Sequence, residues 1–208
     1  MAPRGIAAVA EELRLLVLDD GSTDETVSIV SDLESADTRL RLISLNHAGL
    51  TKTLNYGLAL CRGEFIARQD ADDISLPNRF ATQLPYLRSM KYGACCTRAF
   101  DSKLSRPVPR RFWLIPPRQL LLPYMNFHIH GTLMIRKDIL NRIGGYDETF
   151  IYAQDYKLFY DLHKNNVPVK YLPNVLYRVG YSATSITITQ RSEQLLHARR
   201  VKQLYRDQ

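Results

Sequence analysis

Residues 13–26 read LRLLVLDDGSTDET. Residues 13–18 form an apolar run broken by one charge, the pattern of a strand buried on both faces. The run stops at Asp19-Asp20-Gly21-Ser22, a turn rich in acids. Ser22 or Thr23 can cap a following helix, with Asp24 and Glu25 in its favourable first turn. Val27, Ile29, Val30 and Leu33 give that helix its apolar side. The alternation then repeats. Residues 40–45 (LRLISL) predict a second strand, and 49–60 a helix with Leu50, Leu54 and Leu58 along one stripe. Gly63 ends it. Residues 64–68 (EFIAR) predict a third strand, which runs into Gln69-Asp70-Ala71-Asp72-Asp73. Pro77 suits the start of the next helix, which can reach Met90.

Strand–helix alternation from 13 to 90 predicts a parallel α/β sheet. Ligands in such sheets lie beyond the carboxyl ends of the strands. The acid turns at 19–20 and 70–73 both follow strands, so they are expected on one rim. Asp70 and Asp72 are two apart, and extended backbone would point both side chains the same way. Two convergent carboxylates suit Mg²⁺ or Mn²⁺, hard ions that share oxygen ligands with substrate phosphates. A solvated acidic turn is the bland alternative.

The 208 residues suit one domain of ordinary size. At 45% apolar and 24% charged, the composition excludes a disordered chain, a collagen-like repeat and a coiled coil. No apolar run approaches the ~20 residues of a membrane helix. The opening MAPRGIAAVAEELR makes a poor secretory signal. Cys61, Cys95 and Cys96 form neither a disulfide framework nor a zinc pattern, and point to a reducing cytoplasmic setting.

Charge divides the chain. Residues 1–100 hold 11 basic and 13 acidic side chains, and residues 101–208 hold 17 and 8. A basic second half suits a phosphorylated substrate or an anionic lipid surface. No motif of nucleic-acid recognition accompanies the charge, so no nucleic-acid partner is expected. The second half is also less regular. Strands are predicted near 93–100 and 131–135, helices at 137–143, 153–164 and 190–205, and one or two short strands in 167–179. Residues 101–123 hold five of the ten prolines and predict an irregular segment.

The residues that carry a resemblance are now in view. LDDGSTDET, then NHAGLTKTLNYGLALCRGEFIARQDADDISLPNRF, resembles the nucleotide-sugar half of the family 2 glycosyltransferases. HGTLMIRKDILNRIGGYDETFIYAQDYKLFYDL resembles the acceptor half. The D-x-D alone is weak, and the ordered set is strong. The resemblance implies a GT-A-like fold, a nucleotide-binding sheet joined to a smaller mixed sheet. It implies one glycosyltransferase domain over 1–208, with the donor half at about 13–100 and the acceptor half at about 101–208.

It further implies metal-dependent, inverting transfer of a sugar from a nucleoside diphosphate carrier, a UDP-sugar above others, to a hydroxyl of a glycan or lipid-linked acceptor. Asp19 and Asp20 would contact the donor base or ribose. Asp70 would sit near ribose and metal, and Asp72 would be the principal metal ligand. Arg68 would brace those carboxylates or touch the diphosphate. Asp155 matches the general base. His130 and Gln154 fall on the acceptor side, and Trp113, Tyr124 and Phe127 can stack on a sugar or serve the core. Polysaccharide synthesis in a bacterial cell envelope, at the inner membrane surface, is the expected setting. Relatives open with a further strand and helix, and only 12 residues precede Leu13 here. An N-terminally truncated sheet is therefore expected, with strand edges left open. An inactive remnant of the fold and a sugar nucleotidyltransferase are the rival readings.

Overall fold

The computed structural model describes residues 13–110, 121–181 and 189–207. In chain order the elements are β1 (Leu15–Asp19), α1 (Thr26–Ala36), β2 (Leu40–Ser44), α2 (Leu50–Leu60) and β3 (Phe65–Ala67). Next come β4 (Ile74–Ser75), α3 (Arg79–Arg88), β5 (Ala94–Asp101) and β6 (Arg106–Val108). After a 3-10 turn at His130–Thr132 follow β7 (Met134–Arg136), α4 (Lys137–Arg142), α5 (Gln154–Lys164), β8 (Val169–Val179) and a closing helix α6 (Arg191–Arg206).

The strands fall into two sheets. β1 and β2 form a parallel pair from Leu15↔Leu40 to Asp19↔Ser44. The other sheet has six strands, in the order β3-β7-β5-β8-β4 with β6 beside β5. β3 pairs antiparallel with β7, so the single parallel sheet expected over 13–90 is corrected. The partner of β3 comes from the second half of the chain, and no local pattern announces a pairing so distant in sequence. Among the described residues no strand lies hydrogen-bonded between β1 and β3. The strand expected from Gly131 begins only at Met134, after the 3-10 turn. β8 is one strand rather than two. Pro173 cannot donate to a ladder, and β5 shifts register around Arg98 in the same stretch.

The cores lie in and under the six-stranded sheet. Leu133, Ile135, Leu140, Leu158 and Leu162 fill one. Leu87, Cys95, Met134 and Leu172 fill a second on α3. Phe127, Phe150, Tyr156, Tyr160, Val201 and Tyr205 form a third, where α6 lies on α5. The β1–α1–β2 unit is different: Asp19 is its one buried side chain.

Asn55 of α2 stitches the two halves. Its Nδ2 donates to the Tyr146 carbonyl at 2.8 Å, and its Oδ1 accepts the Tyr146 N–H at 2.8 Å. The amide thus pairs like a strand residue. Two positions further on, a Cβ on Gly57 would collide with Leu18, so glycine lets α2 lie against β1. Asn55 and Gly57 are thus packing residues of α2.

Candidate active site

The acid turn hangs from the end of β3. Asp73 N–H donates to the Asp70 carbonyl at 3.2 Å, which closes a turn over 70–73. The extended D-x-D geometry expected from sequence is corrected on this point. The Arg68 guanidinium contacts the Asp70 carboxylate and the Gln69 carbonyl. Asp72 is exposed, and among the described residues its carboxylate has no partner. Asp73 faces inward, and its Oδ1 accepts the Gly180 N–H at 2.7 Å. Burial raises the Asp73 pKa, and the charges of Asp70 and Asp72 add to it. A Cβ on Gly180 would run into the Asp72 carbonyl oxygen, so glycine permits this docking.

Beneath the turn lies Arg79, which is 1% exposed. Its guanidinium donates to the Arg68 carbonyl at 2.9 Å, the Leu133 carbonyl at 3.2 Å and Ser75 Oγ at 2.7 Å. It also lies 4.9 Å from the centre of the Tyr177 ring. Burial pushes its pKa down to about 10, so it remains charged at neutral pH. Tyr177 closes the arrangement by accepting the Asp70 N–H at 3.1 Å. Neither Arg79 nor Tyr177 is a site residue in the sequence reading. The available signal for Arg79 was a cation at the first position of a helix that packs on a sheet.

Asp155 opens the other side. It stands in the first turn of α5, after Ala153, whose φ of +54° is left-handed. Such strain in a non-glycine residue needs the surroundings to hold it. Asn126 Nδ2 donates to Asp155 Oδ2 at 2.7 Å. The Asn126 Oδ1 accepts the His128 N–H at 3.1 Å, which fixes which end of the amide faces the carboxylate. Burial raises the Asp155 pKa, and the charge of Asp70 pushes the same way. The Tyr156 N–H and Asn126 oppose them. A partly exposed carboxylate thus keeps one oxygen anchored, with its proton affinity raised toward that of a base.

Tyr146 links the two sides. Its hydroxyl meets His130 Nε2 at 2.8 Å, and it feels the charges of Arg68, Asp155 and Asp70. Burial and Arg68 hold His130 well below its ordinary pKa, so the ring is neutral at pH 7. Burial raises the Tyr146 phenol well above its ordinary value. His130 is therefore an uncharged partner of a tyrosine within reach of both acids. Gln154 begins α5, beside Asp155.

The sequence profile of Glycosyl transferase family 2 matches residues 3–144, more than half of the chain. The chain belongs to glycosyl transferase family 2. The amylovoran biosynthesis glycosyltransferase AmsE of Erwinia amylovora is 28% identical over 79% of this chain and 63% of its own length. A mannosyltransferase of Pyrobaculum calidifontis, solved with GDP-Man and Mn²⁺, superposes with a TM-score of 0.69 at 20% identity. That match covers 89% of this chain and 53% of the other. S. aureus TarS, solved with UDP, gives 0.68 at 20% identity, over 92% of this chain and 55% of its own. The family 2 chain thus spans about two thirds or less of the proteins it resembles. Its fold is the GT-A type the motifs implied.

Within this family 2 domain, Asp19 and Asp20 have partners of their own. Asp19 is buried, and its Oδ1 accepts the Ser22 N–H at 3.1 Å. Asp20 Oδ1 accepts the Ala48 N–H at 2.8 Å and the Thr53 hydroxyl at 2.9 Å, while Oδ2 accepts the Gly49 N–H at 3.0 Å. Burial alone would raise the Asp20 pKa, but these donors outweigh it and hold it below its ordinary value. Both acids shape the turns at the ends of β1 and β2. Phe127 lies in the core, Tyr124 is exposed, and Trp113 lies outside the described residues. His128 stacks on Phe159, with ring centres 3.5 Å apart, so it does not converge with His130. Among the described residues no three His, Cys, Asp or Glu side chains cluster as a metal cage. Asp70 and the unpartnered Asp72 nevertheless fit a magnesium-type ion, which takes one or two carboxylates and completes its shell from phosphates and water.

Proposed function

We propose that this domain transfers a sugar from a nucleoside diphosphate donor to a hydroxyl of a glycan or lipid-linked acceptor, with inversion at the anomeric carbon. The observation that carries the reading is Asp155, anchored at one oxygen by Asn126 and in electrostatic reach of Asp70 across the cleft. A hydroxyl is a poor nucleophile at neutral pH, and a positioned carboxylate that takes its proton helps it attack. The base must stand opposite the leaving diphosphate. Asp155 and the 70–73 turn come from different elements, which supports that arrangement. Inversion follows from a single in-line displacement.

Asp72 and Asp70 would hold Mg²⁺ or Mn²⁺, which when bound neutralises charge on the diphosphate. Arg68 steadies Asp70 and would also meet the diphosphate. The turns built by Asp19 and Asp20 would flank the nucleotide. The related structures solved with UDP and with GDP-Man support a nucleotide-sugar donor in general, and a UDP-sugar is the one to test first. His130 and Gln154, the latter next to Asp155 in α5, would fall on the acceptor side. The relatives named for polysaccharide synthesis support an envelope glycan as the acceptor class.

The first test is thermal unfolding with UDP, GDP and their sugars, with and without Mn²⁺. A ligand at about 100 times its dissociation constant adds ~2.7 kcal/mol, or several degrees in a domain of this size. A shift that needs both metal and one nucleotide, and that Asp72→Ala removes, supports the reading. A cooperative transition that no nucleotide moves rejects it in favour of an inactive remnant. NMR of the first product linkage then reports inversion or retention.

A further inference from the structure

α6 turns three aromatic or apolar contacts inward and a different surface outward. His197, Val201 and Tyr205 are buried. Arg191, Leu195, Arg199, Lys202 and Arg206 follow one another at steps of four, four, three and four residues. That spacing sets them in one stripe along the helix. Leu196 lies beside the stripe, and it and Leu195 are each 53% exposed. Arg191, Arg199, Lys202 and Arg206 make no ion pair among the described residues. Arg200 is excluded from the stripe, because it lies 4.5 Å from the centre of the Phe150 ring and donates to the Thr149 carbonyl.

We propose that this outer face of α6 docks the domain on a bilayer with anionic headgroups. Four cations that make no ion pair among the described residues match such a surface in charge. The two leucines decide between polyanions. A nucleic acid or a soluble phosphate gains nothing from an exposed leucine, whereas a bilayer accepts one at the headgroup–acyl boundary. The position of the helix gives the contact a use. Tyr205 meets Tyr160 edge-on with ring centres 4.8 Å apart, and the Tyr160 hydroxyl donates to the Leu204 carbonyl at 3.3 Å. Tyr160 belongs to α5, whose first turn holds Asp155. The docking face therefore lies one helix away from the acceptor side, where a lipid-linked hydroxyl would arrive. That use rests on the proposed transfer reaction, but the docking itself does not.

The test is co-sedimentation of the 208-residue chain with phosphatidylcholine vesicles, with and without phosphatidylglycerol. Binding is expected only with phosphatidylglycerol, and to weaken as salt rises. Arg199→Glu with Arg206→Glu should weaken it by about tenfold or more. Leu195→Ser with Leu196→Ser should weaken it several-fold at unchanged charge, while retention on heparin stays as it was. Arg41→Glu with Arg62→Glu changes net charge equally on exposed residues elsewhere, and should matter less. All these side chains are exposed, so the melting temperatures should match the parent and report folding. No preference for phosphatidylglycerol overturns the proposal. So does charge reversal that acts equally at both places, or a leucine pair that binds vesicles at the parent level. The assay uses no donor and no turnover, so its failure would leave the reading of Asp155 and Asp72 standing.

Discussion

The β1–α1–β2 unit and the six-stranded sheet are built on opposite terms. In the first, eleven residues of α1 bury nothing, and Ile29 and Leu33 are more than half exposed. In the second, Leu133, Ile135, Leu158 and Leu162 are at most 1% exposed. Burial of apolar surface is the main source of stability, at about 25 cal/mol per Å². The sheet therefore holds itself. The β1–α1–β2 unit depends on its local ladder, on the polar turns of Asp19 and Asp20, and on α2 lying against Leu18. The chemistry is divided in the same way. The 70–73 turn and Asp155 hang on the well-packed region, and the turns of Asp19 and Asp20, proposed to flank the nucleotide, hang on the exposed one.

The largest expected effect tests the chemistry of the packed region. Asp155→Asn should lower kcat by about a thousandfold, within the range for loss of a general base. Its melting temperature should hold or rise. Folding raises the Asp155 pKa, so the folded state binds that proton more tightly than the unfolded chain. The stability linked to this proton is complete below the unfolded carboxylate pKa and is lost as pH rises through the folded value. The neutral amide removes that cost at pH 7. A drop in melting temperature as large as the drop in rate would make Asp155 a structural cap.

Next come paired truncations across the two regions, read by urea unfolding. Leu162→Ala should cost about 2–5 kcal/mol, as buried leucines do. Leu33→Ala should cost about 0.5 kcal/mol or less, as exposed positions do. Equal costs would end the comparison. Hydrogen exchange should agree, with slow amides in β5 and β7 and fast ones in β1 and β2.

Arg79→Met comes third. It leaves the Arg68 carbonyl without its guanidinium donor, at about 1–3 kcal/mol for a buried group, while the Leu133 carbonyl keeps the Arg68 N–H. It should also weaken the metal-dependent nucleotide shift, because Arg68 and Asp70 lose their underlay. Hydrogen exchange in β1 should not change.

The smallest effect is the sharpest. Asn126→Ala removes a donor that favours ionised Asp155, so the acid limb of the kcat–pH profile should move to higher pH by about one unit. Activity well above the limb should stay near that of the parent, and KM for the donor should not change. A uniform loss at every pH would mean that Asn126 merely packs.

Much of this was legible in the chain. The run at 13–18, the stripe Leu50-Leu54-Leu58 and the helix expected at 153–164 placed β1, α2 and α5 to within a few residues, because local pattern records which residues are buried. The motif order named the family. Asn126, Tyr146, Arg79 and Tyr177 were not legible. Each acts through partners outside its own element: Asp155 from 126, His130 from 146, the Arg68 carbonyl from 79, the Asp70 N–H from 177. A lone Asn or Tyr in sequence has no period.

The sequence by itself determined the local elements, the acid turns and the family, because strands, helices and turns answer to neighbours a few residues away. Only the tertiary structure decided that β3 joins β7 rather than β1, that a buried arginine holds the backbone just before the acid turn, and that α6 shows solvent two leucines and cations that make no ion pair among the described residues. Those facts are settled by which surfaces meet, and meeting is a property of the folded chain.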